Sequence, residues 1–499
     1  MAETAQSGRV SSGVEGIDDI LGGGLPEGRI YLVHGEAGTG KTTFALQFLM
    51  AGARAGKRCL GITLLQTQAE IKDTVVSHNW DVDGIDFVEL PPEVRRSVSR
   101  GQTVFATGDV ELSEVTDAVE AVILRHKPEC LVLDSLSELG ILVDTRHQLR
   151  RQLIRLKETL DTIGCTTILT AGPAGDIDME MLRTLVHGVI SLEILFPAFG
   201  QPHRRVLVSK IRGLYYQGGY HDATIVTGGL QVYKRVLGLP ALQRSTSRTV
   251  LSGNPGLDEL LGGGLQEGTT CAVAGTAGAG KSSLVTLYAY TAAKEGTRSA
   301  VFCFDERPET FLSRAEGLGM PIAGFVEDGT IQLHEIRVGE VTPGLLHDTV
   351  RRAVDQDGAR LVVLDSLSGY LQSVPGSPEL IVRLHELLTY LSASGVLTFL
   401  IVASHGLFGE TESPIDISYI ADAVVILRHF EARGRVRRCI AVLKKRYGDH
   451  EKAIREAIFE PTGIRMGEPL SAFSGLLTGL PRFEGSTDGL LVESDEGPQ

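Results

Sequence analysis

The feature that most constrains this chain is an internal repeat with an offset of 240 residues. The segment that begins at Gly16, GIDDILGGGLPEGRIYLVHGEAGTGKTT, aligns with the segment that begins at Gly256, GLDELLGGGLQEGTTCAVAGTAGAGKSS. A repeat of this length indicates two copies of one structural unit, placed one after the other. The total of 499 residues suits two domains of ordinary size.

Each half alternates apolar, strand-like runs with helical patterns. The runs are residues 30–34, CLGITLL, CLVLD and TTILTAG in the first half, and residues 271–274, SAVFCF, LVVLD and LTFLIVAS in the second. This alternation indicates parallel strands covered by helices on both faces, and therefore an α/β fold. We predict one domain over residues 1–240, a second over 247–475, and an acidic, flexible tail over 476–499. A Pro- and Ser-rich stretch near residues 237–253 suits the linker.

Composition excludes several classes of protein. No run of 18 or more apolar residues is present, which predicts no membrane span, and the N-terminus lacks the features of a secretion signal. The six cysteines are scattered and form no CxxC pair, which is typical of buried thiols in a reducing, cytoplasmic compartment. A net charge of −14 argues against general affinity for nucleic acid, although a local basic groove stays open.

Each half carries a strand, the pattern GxxxxGK[ST] and then a helix, which is the P-loop arrangement. Glycines let backbone N–H groups surround phosphate oxygens, and the helix N-terminus favours negative charge. The alternative is a Gly-rich turn that binds nothing. The pattern predicts ATP-binding residues Gly35, Glu36, Ala37, Gly38, Thr39, Gly40, Lys41, Thr42 and Thr43, and Gly275, Thr276, Ala277, Gly278, Ala279, Gly280, Lys281, Ser282 and Ser283.

A Mg²⁺ ion is expected beside each phosphate site. Thr42 and Ser282 would offer hydroxyl ligands, and Asp134 and Asp365 end apolar strands where a second contact to the metal is required. An aspartate in this position is otherwise a helix cap. We therefore expect ATP and Mg²⁺ as the cofactors.

The two halves differ after the strand that follows the P-loop helix. The second half has Asp305 and Glu306, whose carboxylates can orient or deprotonate an attacking oxygen, and the first half has Leu65 and Gln66 in their places. The alternative is that the two carboxylates only cap the next helix. We predict that both halves bind nucleotide, that hydrolysis in the first half is weak or absent, and that Asp305, Glu306 and Lys281 are catalytic in the second.

The duplicated P-loops, the LGGGL segments, LDSLS after each third strand, KIRG from Lys210 and KKRYGDHEKAIREA from Lys444 resemble the KaiC family over roughly residues 9–475. These are bacterial circadian-clock ATPases and autokinases within the RecA-like group. The resemblance implies two tandem RecA-like P-loop NTPase domains and a homo-hexamer of two stacked rings, with ATP between subunits. It further implies contacts to a neighbour's ATP by Lys210, Arg212, Arg438, Lys444, Arg446, His450 and Lys452. The alternative for each is a solvated surface cation.

The resemblance also implies phosphorylation of the second half on two neighbouring hydroxyls, at Ser418 and Tyr419. The family has threonine where Tyr419 stands, so Ser418 is the favoured acceptor for a Ser/Thr autokinase. The missing acidic pair at Leu65 and Gln66 weakens the case for a complete oscillator. The implied roles are circadian-type timing, or signalling and stress adaptation, with KaiB-like or signalling proteins as partners.

Two further functions stay open on the sequence. A RecA-like DNA recombination or repair protein would need basic, flexible loops, whereas the candidate segments VDTRHQLRRQ and GLFGETESPIDIS are mixed and acidic. A non-catalytic scaffold held together by ATP is the other alternative, and the carboxylates of Asp305 and Glu306 argue against it. The insertion at residues 91–115 is either a partner-binding loop or a solvated excursion.

Overall fold

A computed structural model describes residues 8–64, 66–89, 108–137, 139, 146–173, 179–196, 201–236, 248–372, 379–403, 417–432, 434–477 and 481–484. The chain forms two compact units, Met1–Arg235 and Val236–Gln499. Of the sequence-based predictions, Leu65, most of the insertion at 91–115, residues 237–247 of the linker and most of the acidic tail lie outside the described residues.

The first unit contains eleven strands within its described part. They are β1 (Arg9–Val10), β2 (Leu25–Pro26), β3 (Ile30–Gly35), β4 (Cys59–Thr63), β5 (Ile85–Glu89), β6 (Cys130–Asp134), β7 (Thr166–Ala171), β8 (Gly188–Leu195), β9 (His203–Ile211), β10 (Tyr220–Val226) and β11 (Gly229–Tyr233). Its helices are Glu15–Ile20, Lys41–Arg54, Gln68–Ser77, Gly108–His126, Arg146–Ile163 and Met179–Leu185.

The second unit repeats this order with a longer C-terminal part. Its strands are β12 (Thr249–Val250), β13 (Leu265–Gln266), β14 (Thr270–Gly275), β15 (Ser299–Cys303), β16 (Ile331–Glu335), β17 (Leu361–Asp365), β18 (Leu397–Ala403), β19 (Ala423–Ala432), β20 (Arg435–Lys445), β21 (Arg455–Glu460), β22 (Gly463–Pro469), β23 (Phe473–Ser474) and β24 (Arg482–Phe483). Its helices are Pro255–Leu260, Lys281–Lys294, Pro308–Glu316, Ala323–Glu327, Pro343–Asp355, Leu367–Gln372, Glu379–Ala393 and Ile417–Ile420.

Each unit is built on a nine-stranded sheet, and the two sheets have the same topology. The orders are β11-β10-β9-β8-β3-β7-β6-β4-β5 and β16-β15-β17-β18-β14-β19-β20-β21-β22. From β8 to β5 and from β16 to β19 the neighbouring strands are parallel, and β9–β11 and β20–β22 extend each sheet in antiparallel fashion. The predicted fold of two tandem, largely parallel α/β domains is confirmed, and the antiparallel extensions are additions to it.

Helix termini follow local sequence signals. Thr67 and Glu70 form a capping box at the start of Gln68–Ser77, and the Thr342 hydroxyl accepts a hydrogen bond from the Leu345 N–H at the start of Pro343–Asp355. Apolar side chains cover both faces of each sheet. In the first unit one face packs against Lys41–Arg54 through Phe44 and Phe48, and the other face packs against the helices Gly108–His126 and Arg146–Ile163. This two-sided burial explains why the parallel strands are almost entirely apolar.

No helix in the described ranges is long and apolar enough to cross a membrane. All six cysteines are buried and carry free thiols.

Candidate functional site

Both P-loops adopt the same backbone geometry at the end of a central strand. The loop after β3 leads into a helix that begins at Lys41, and the loop after β14 leads into a helix that begins at Lys281. The residues before these lysines are Gly40 and Gly280, with φ of 103° and 101°. Only glycine adopts this left-handed conformation without strain. The first N–H groups of each helix are thereby directed at the loop, which is the arrangement that binds phosphate.

The lysine of each loop is folded back onto the loop backbone. Lys41 Nζ donates to the carbonyls of Gly35 and Glu36, both at 2.8 Å, and Lys281 Nζ donates to the Thr276 carbonyl at 2.7 Å. Burial lowers the pKa of both lysines, and Asp134 and Asp365 oppose this effect. Each ammonium group therefore lies against the P-loop backbone. The phosphates of a bound triphosphate would offset its positive charge there.

The predicted metal ligands lie next to each other in both halves. Thr42 Oγ1 donates to Asp134 Oδ2 at 2.9 Å, and Thr170 Oγ1 donates to Asp134 Oδ1. In the second half, burial raises the pKa of Asp365, while a hydrogen bond from the Ser282 side chain opposes that rise. Each site places the carboxylate at the end of a strand beside the hydroxyl of the P-loop, and both groups are hard oxygen donors of the kind that Mg²⁺ prefers.

No group of three or more His, Cys, Asp or Glu side chains suited to a metal occurs within the described ranges. The donor set nevertheless fits Mg²⁺, because this ion is usually bound by one or two protein oxygens together with phosphate oxygens and water.

A cavity of about 760 Å³ brings the predicted groups of the second half together. The P-loop supplies Lys281 and Ser282 to its wall, β17 supplies Asp365, and the segment after β15 supplies Asp305 and Glu306. The space is sufficient for a nucleotide. The remaining lining residues are Gly278, Gly280, Ser283, Thr310, Arg314, Gly317, Leu318, Arg438 and Phe459.

The two adjacent carboxylates have different partners. Asp305 Oδ2 accepts a hydrogen bond from the Ser366 hydroxyl at 2.7 Å, which ties Asp305 to the residue after Asp365. Glu306 is paired with Arg314, with N–O distances of 3.2 Å from Nε and 2.8 Å from Nη2. Neither carboxylate caps the helix Pro308–Glu316, whose N-cap residue is Arg307 and has no side-chain cap. The capping alternative is therefore wrong for this pair.

The same segment of the first half has a similar backbone and no carboxylate. The Leu64 N–H donates to the Asp134 carbonyl at 2.8 Å, as the Phe304 N–H donates to the Asp365 carbonyl at 2.7 Å. The next described residue is Gln66, whose backbone carbonyl accepts a hydrogen bond from Thr63 Oγ1 at 2.8 Å. Gln66 occupies the position of Glu306 and can orient water but cannot accept its proton.

Arg438 lies in the wall of its own chain's cavity, with its guanidinium carbon 4.9 Å from the ring centroid of Phe459. The resemblance assigns it to a neighbour's ATP, and that assignment stays a prediction. Strand register places Arg438 in this wall: it pairs with His429 of β19, whose Nδ1 atom lies 3.2 Å from Thr276 Oγ1 of the P-loop. The Nε atom of Arg438 is buried without a hydrogen-bond partner in the described part of the chain.

Arg204 is the corresponding residue of the first half, and the sequence reasoning missed it. Arg204 pairs with Ile194 on β8, as Arg438 pairs with His429 on β19. Its Nε and Nη2 atoms both donate to the Gly38 carbonyl of the first P-loop, at 3.4 Å. The available signal was spacing, because each arginine precedes the lysine of its KxR segment by six residues.

The KxR segments make equivalent contacts in the two halves. Lys210 Nζ donates to the carbonyls of Arg183 and Val186, and Arg212 Nη2 donates to the Thr184 carbonyl at 2.8 Å. In the second half, Lys444 Nζ donates to the Ala421 carbonyl at 2.8 Å and Arg446 Nη2 donates to the Tyr419 carbonyl at 3.3 Å. A β-bulge next to Val189 and another next to Val424 set this geometry.

Lys444 and Arg446 are not among the described lining residues of their own chain's cavity. His450 and Lys452 follow β20 in the loop that leads to β21, and they also lie outside that lining. Ser418 and Tyr419 belong to the short helix Ile417–Ile420. Tyr419 is 75% exposed, and the Ser418 side chain lies outside the described part of the structure.

Comparison with known proteins agrees with the duplicated architecture. The KaiC ATPase family model matches residues 10–236 and again residues 250–471. The chain belongs to the KaiC family of ATPases. It is 27% identical to the circadian clock protein KaiC3 of Synechocystis sp. over 498 residues, 97% of each chain. It is also 27% identical to the circadian clock oscillator protein KaiC of Prochlorococcus marinus, with 95% of each chain covered, and 28% identical to KaiC of Parathermosynechococcus lividus, with 94% of this chain and 87% of that protein covered.

Membership explains the duplicated architecture, since both matched regions coincide with a nine-stranded sheet and its P-loop. The protein is a KaiC-like ATP-binding protein. Its two KaiC domains differ in the side chains that lie beside their P-loops.

Proposed function

We propose that the second KaiC domain hydrolyses ATP and phosphorylates its own chain on Ser418, while the first domain binds ATP mainly to hold an assembly together. One observation carries this proposal: Glu306, Asp305, Lys281 and Asp365 line one cavity in the second half. In the first half, Gln66 replaces Glu306 beside an otherwise equivalent P-loop.

Hydrolysis needs a base for the attacking water. The water oxygen forms a bond to the γ-phosphorus, the bond from that phosphorus to the bridging oxygen breaks, and ADP leaves with the electron pair. Glu306 accepts the proton of the water, Asp305 is held beside it by Ser366, and Lys281 neutralises charge on the phosphate oxygens. Ser282 and Asp365 would hold Mg²⁺, which when bound offsets charge on the transferring phosphoryl group.

Autophosphorylation replaces the water by the hydroxyl of Ser418. Its oxygen attacks the γ-phosphorus, ADP departs, and the hydroxyl proton passes to Glu306 of the site that holds the ATP. Arg446 and Lys444 bind the backbone of the segment that carries Ser418, at Tyr419 and Ala421. If these cations contact a neighbour's ATP, the acceptor segment lies beside that same ATP. Tyr419 is exposed but its phenol is longer than the family's threonine, so Ser418 is the proposed acceptor.

The assembly that family membership implies for this chemistry is a homo-hexamer of two stacked rings. Lys210 and Arg212 would serve a neighbour's ATP in the first ring, and Lys444 and Arg446, with His450 and Lys452, would do so in the second. A cation supplied by a neighbour makes turnover depend on assembly. The first half has Arg183 where the second has Ser418, so the first ring offers no hydroxyl at that position. The proposed roles are circadian-type timing or signalling and stress adaptation, with a KaiB-like or signalling protein as partner.

Phosphate release by Glu306→Gln tests the hydrolysis. Loss of a general base should reduce the rate by about 10²- to 10⁴-fold while ATP binding persists. Glu309→Gln is the matched control, because Glu309 is an exposed carboxylate on the following helix and does not line the cavity. An unchanged rate in Glu306→Gln, or an equal loss in both variants, would refute the assignment.

Intact-mass measurement after incubation with Mg²⁺ and ATP tests the autokinase. Wild type should gain one phosphate per chain, and Ser418→Ala should gain none. Phosphate added equally to both would contradict the choice of acceptor. Light scattering with and without ATP tests the assembly, and a particle mass indifferent to nucleotide would contradict it.

A further inference from the structure

Arg314 engages both oxygens of the proposed base. It lies on the helix Pro308–Glu316, and its Nε and Nη2 atoms contact Glu306 Oε1 and Oε2 at 3.2 and 2.8 Å. The two side chains are only 24% and 21% exposed. This is the paired, fork-like geometry that gives strong ion pairs between arginine and a carboxylate.

The arginine is also anchored from a second side. Its Nη1 atom lies 3.3 Å from Ser283 Oγ and 3.4 Å from Thr286 Oγ1, both on the P-loop helix Lys281–Lys294. Its guanidinium carbon lies 4.7 Å from the ring centroid of Phe311. The contacts to Ser283 and Thr286 connect Glu306 to the helix that holds the phosphates, and they fix Arg314 without the help of Glu306.

We propose that Arg314 acts as a latch: its ion pair with Glu306 restrains the proposed base and limits the rate of ATP hydrolysis in the second half. This inference rests on the proposed role of Glu306 as the base. A carboxylate that accepts hydrogen bonds from one guanidinium through both oxygens is a weaker proton acceptor, because protonation weakens the ion pair. The free energy lost when the pair is weakened therefore adds to the barrier of every turnover, and Arg314 is a positioning residue that keeps the enzyme slow.

The first half has neither member of the pair. Gln66 stands in the place of Glu306, and Thr74 stands in the place of Arg314. The Thr74 hydroxyl instead donates to the Glu70 carbonyl of its own helix, at 3.0 Å. The arginine is thus present in the half that has the base and absent from the half that lacks it, which is the distribution expected of a device that acts on the base.

Steady-state hydrolysis by the full-length chain at saturating ATP and Mg²⁺ tests the latch. Arg314→Gln should raise kcat by about fivefold, the value of a partly exposed ion pair of about 1 kcal/mol. KM should change by less than about twofold, because uniform binding is not altered. Arg314→Lys retains the charge but not the two-pronged geometry and should give an intermediate rate. In a Glu306→Gln background, Arg314→Gln should add nothing.

Raising the salt concentration is an independent test on wild type, because it weakens the pair without any substitution. The rate of wild type should rise toward that of Arg314→Gln, whose own rate should respond less. A lower or unchanged kcat in a folded Arg314→Gln protein would refute the latch and make Arg314 a residue that orients Glu306 productively. Full activity in Glu306→Gln alone would instead refute the role of the base, whichever way Arg314 behaves.

Discussion

Arg438 provides the sharpest test of the nucleotide site, because its free and bound states differ in hydrogen bonding. In the structure its Nε atom is buried without a partner in the described part of the chain, and its guanidinium lies 4.9 Å from the Phe459 ring centroid in the cavity wall. An unpaired buried donor costs about 1–3 kcal/mol, and a phosphate oxygen of ATP would satisfy it. We therefore expect Arg438→Met to affect the free and bound proteins in opposite directions.

The magnitudes follow from these contacts. Methionine retains most of the aliphatic volume and removes the unpaired donor, but it also loses a cation–π contact of about 0.5–1 kcal/mol. The nucleotide-free second unit should gain about 1 kcal/mol, or about 2–4 °C in Tm for a unit of this size. Loss of a charge-assisted hydrogen bond of about 1.5–3 kcal/mol should weaken ATP binding by about 10- to 150-fold.

Thermal unfolding and titration with a fluorescent ATP analogue measure both effects. Arg437→Met is the matched control: Arg437 is the preceding residue, pairs with Glu456 at 3.2 Å, and does not line the nucleotide cavity. Its variant should lose a little stability and retain wild-type affinity. The first P-loop is an internal reference, because its affinity should not change. Equal affinity in Arg438→Met and wild type, or a destabilised nucleotide-free protein, would refute the reasoning.

Three further outcomes are expected for substitutions in the P-loops and in the strands next to them. Burial raises the pKa of Asp365, so the stability that this carboxyl contributes is present below its unfolded pKa and lost as pH rises through the folded value. Asp365→Asn should therefore raise the unfolding free energy of the second unit at pH 7, with a gain that shrinks toward pH 3 in urea titrations. Burial lowers the pKa of His34 from 6.5 to about 4, so the stability that neutral His34 contributes should be lost as pH falls through this interval, and His34→Gln should flatten that part of the profile. Gly280→Ala should destabilise its unit more than Gly40→Ala: both strain a left-handed residue, but a Cβ at Gly280 would lie 2.2 Å from Phe459 Cζ, whereas one at Gly40 would lie 3.0 Å from Ile225 Cδ1. Equal losses in denaturant titrations of the two glycine variants would contradict this ranking.

The parallel strands of each sheet could be predicted from the sequence because they are buried on both faces. Runs such as CLVLD, observed as Cys130–Asp134, contain almost nothing but apolar residues. The antiparallel strands escaped prediction because they are only partly buried and carry charges, as His203–Ile211 does with its HRR start. A strand buried on one face alternates apolar and polar residues, which is a weaker signal than a continuous apolar run. A bulge such as that next to Val189 interrupts this alternation.

The site shows the same division between local and non-local information. The P-loop lysines were predictable because the motif fixes their surroundings within a few residues. Asp365 was predictable because it ends an apolar strand. The position of Arg438 depends on the pairing of β19 with β20, and that register is not written in either strand alone. The pair between Glu306 and Arg314 needs a helix to start at Pro308, so that residues eight apart meet.

The two halves share the contacts of their KxR segments and differ at the residues proposed for catalysis and phosphate acceptance. Lys210 and Lys444 bind carbonyls at equivalent positions, Val186 and Ala421, so the strand edge that carries the KxR cations has kept one geometry in both copies. The differences fall at other points: Gln66 for Glu306, Thr74 for Arg314 and Arg183 for Ser418. The first replaces the proposed base, the second replaces the arginine proposed to restrain that base, and the third replaces the proposed phosphate acceptor. A duplicated unit that keeps its P-loop lysine and its KxR cations but has neither the base nor the acceptor is expected to bind nucleotide with little turnover. This is the distribution expected under the proposal that the first ring holds subunits together.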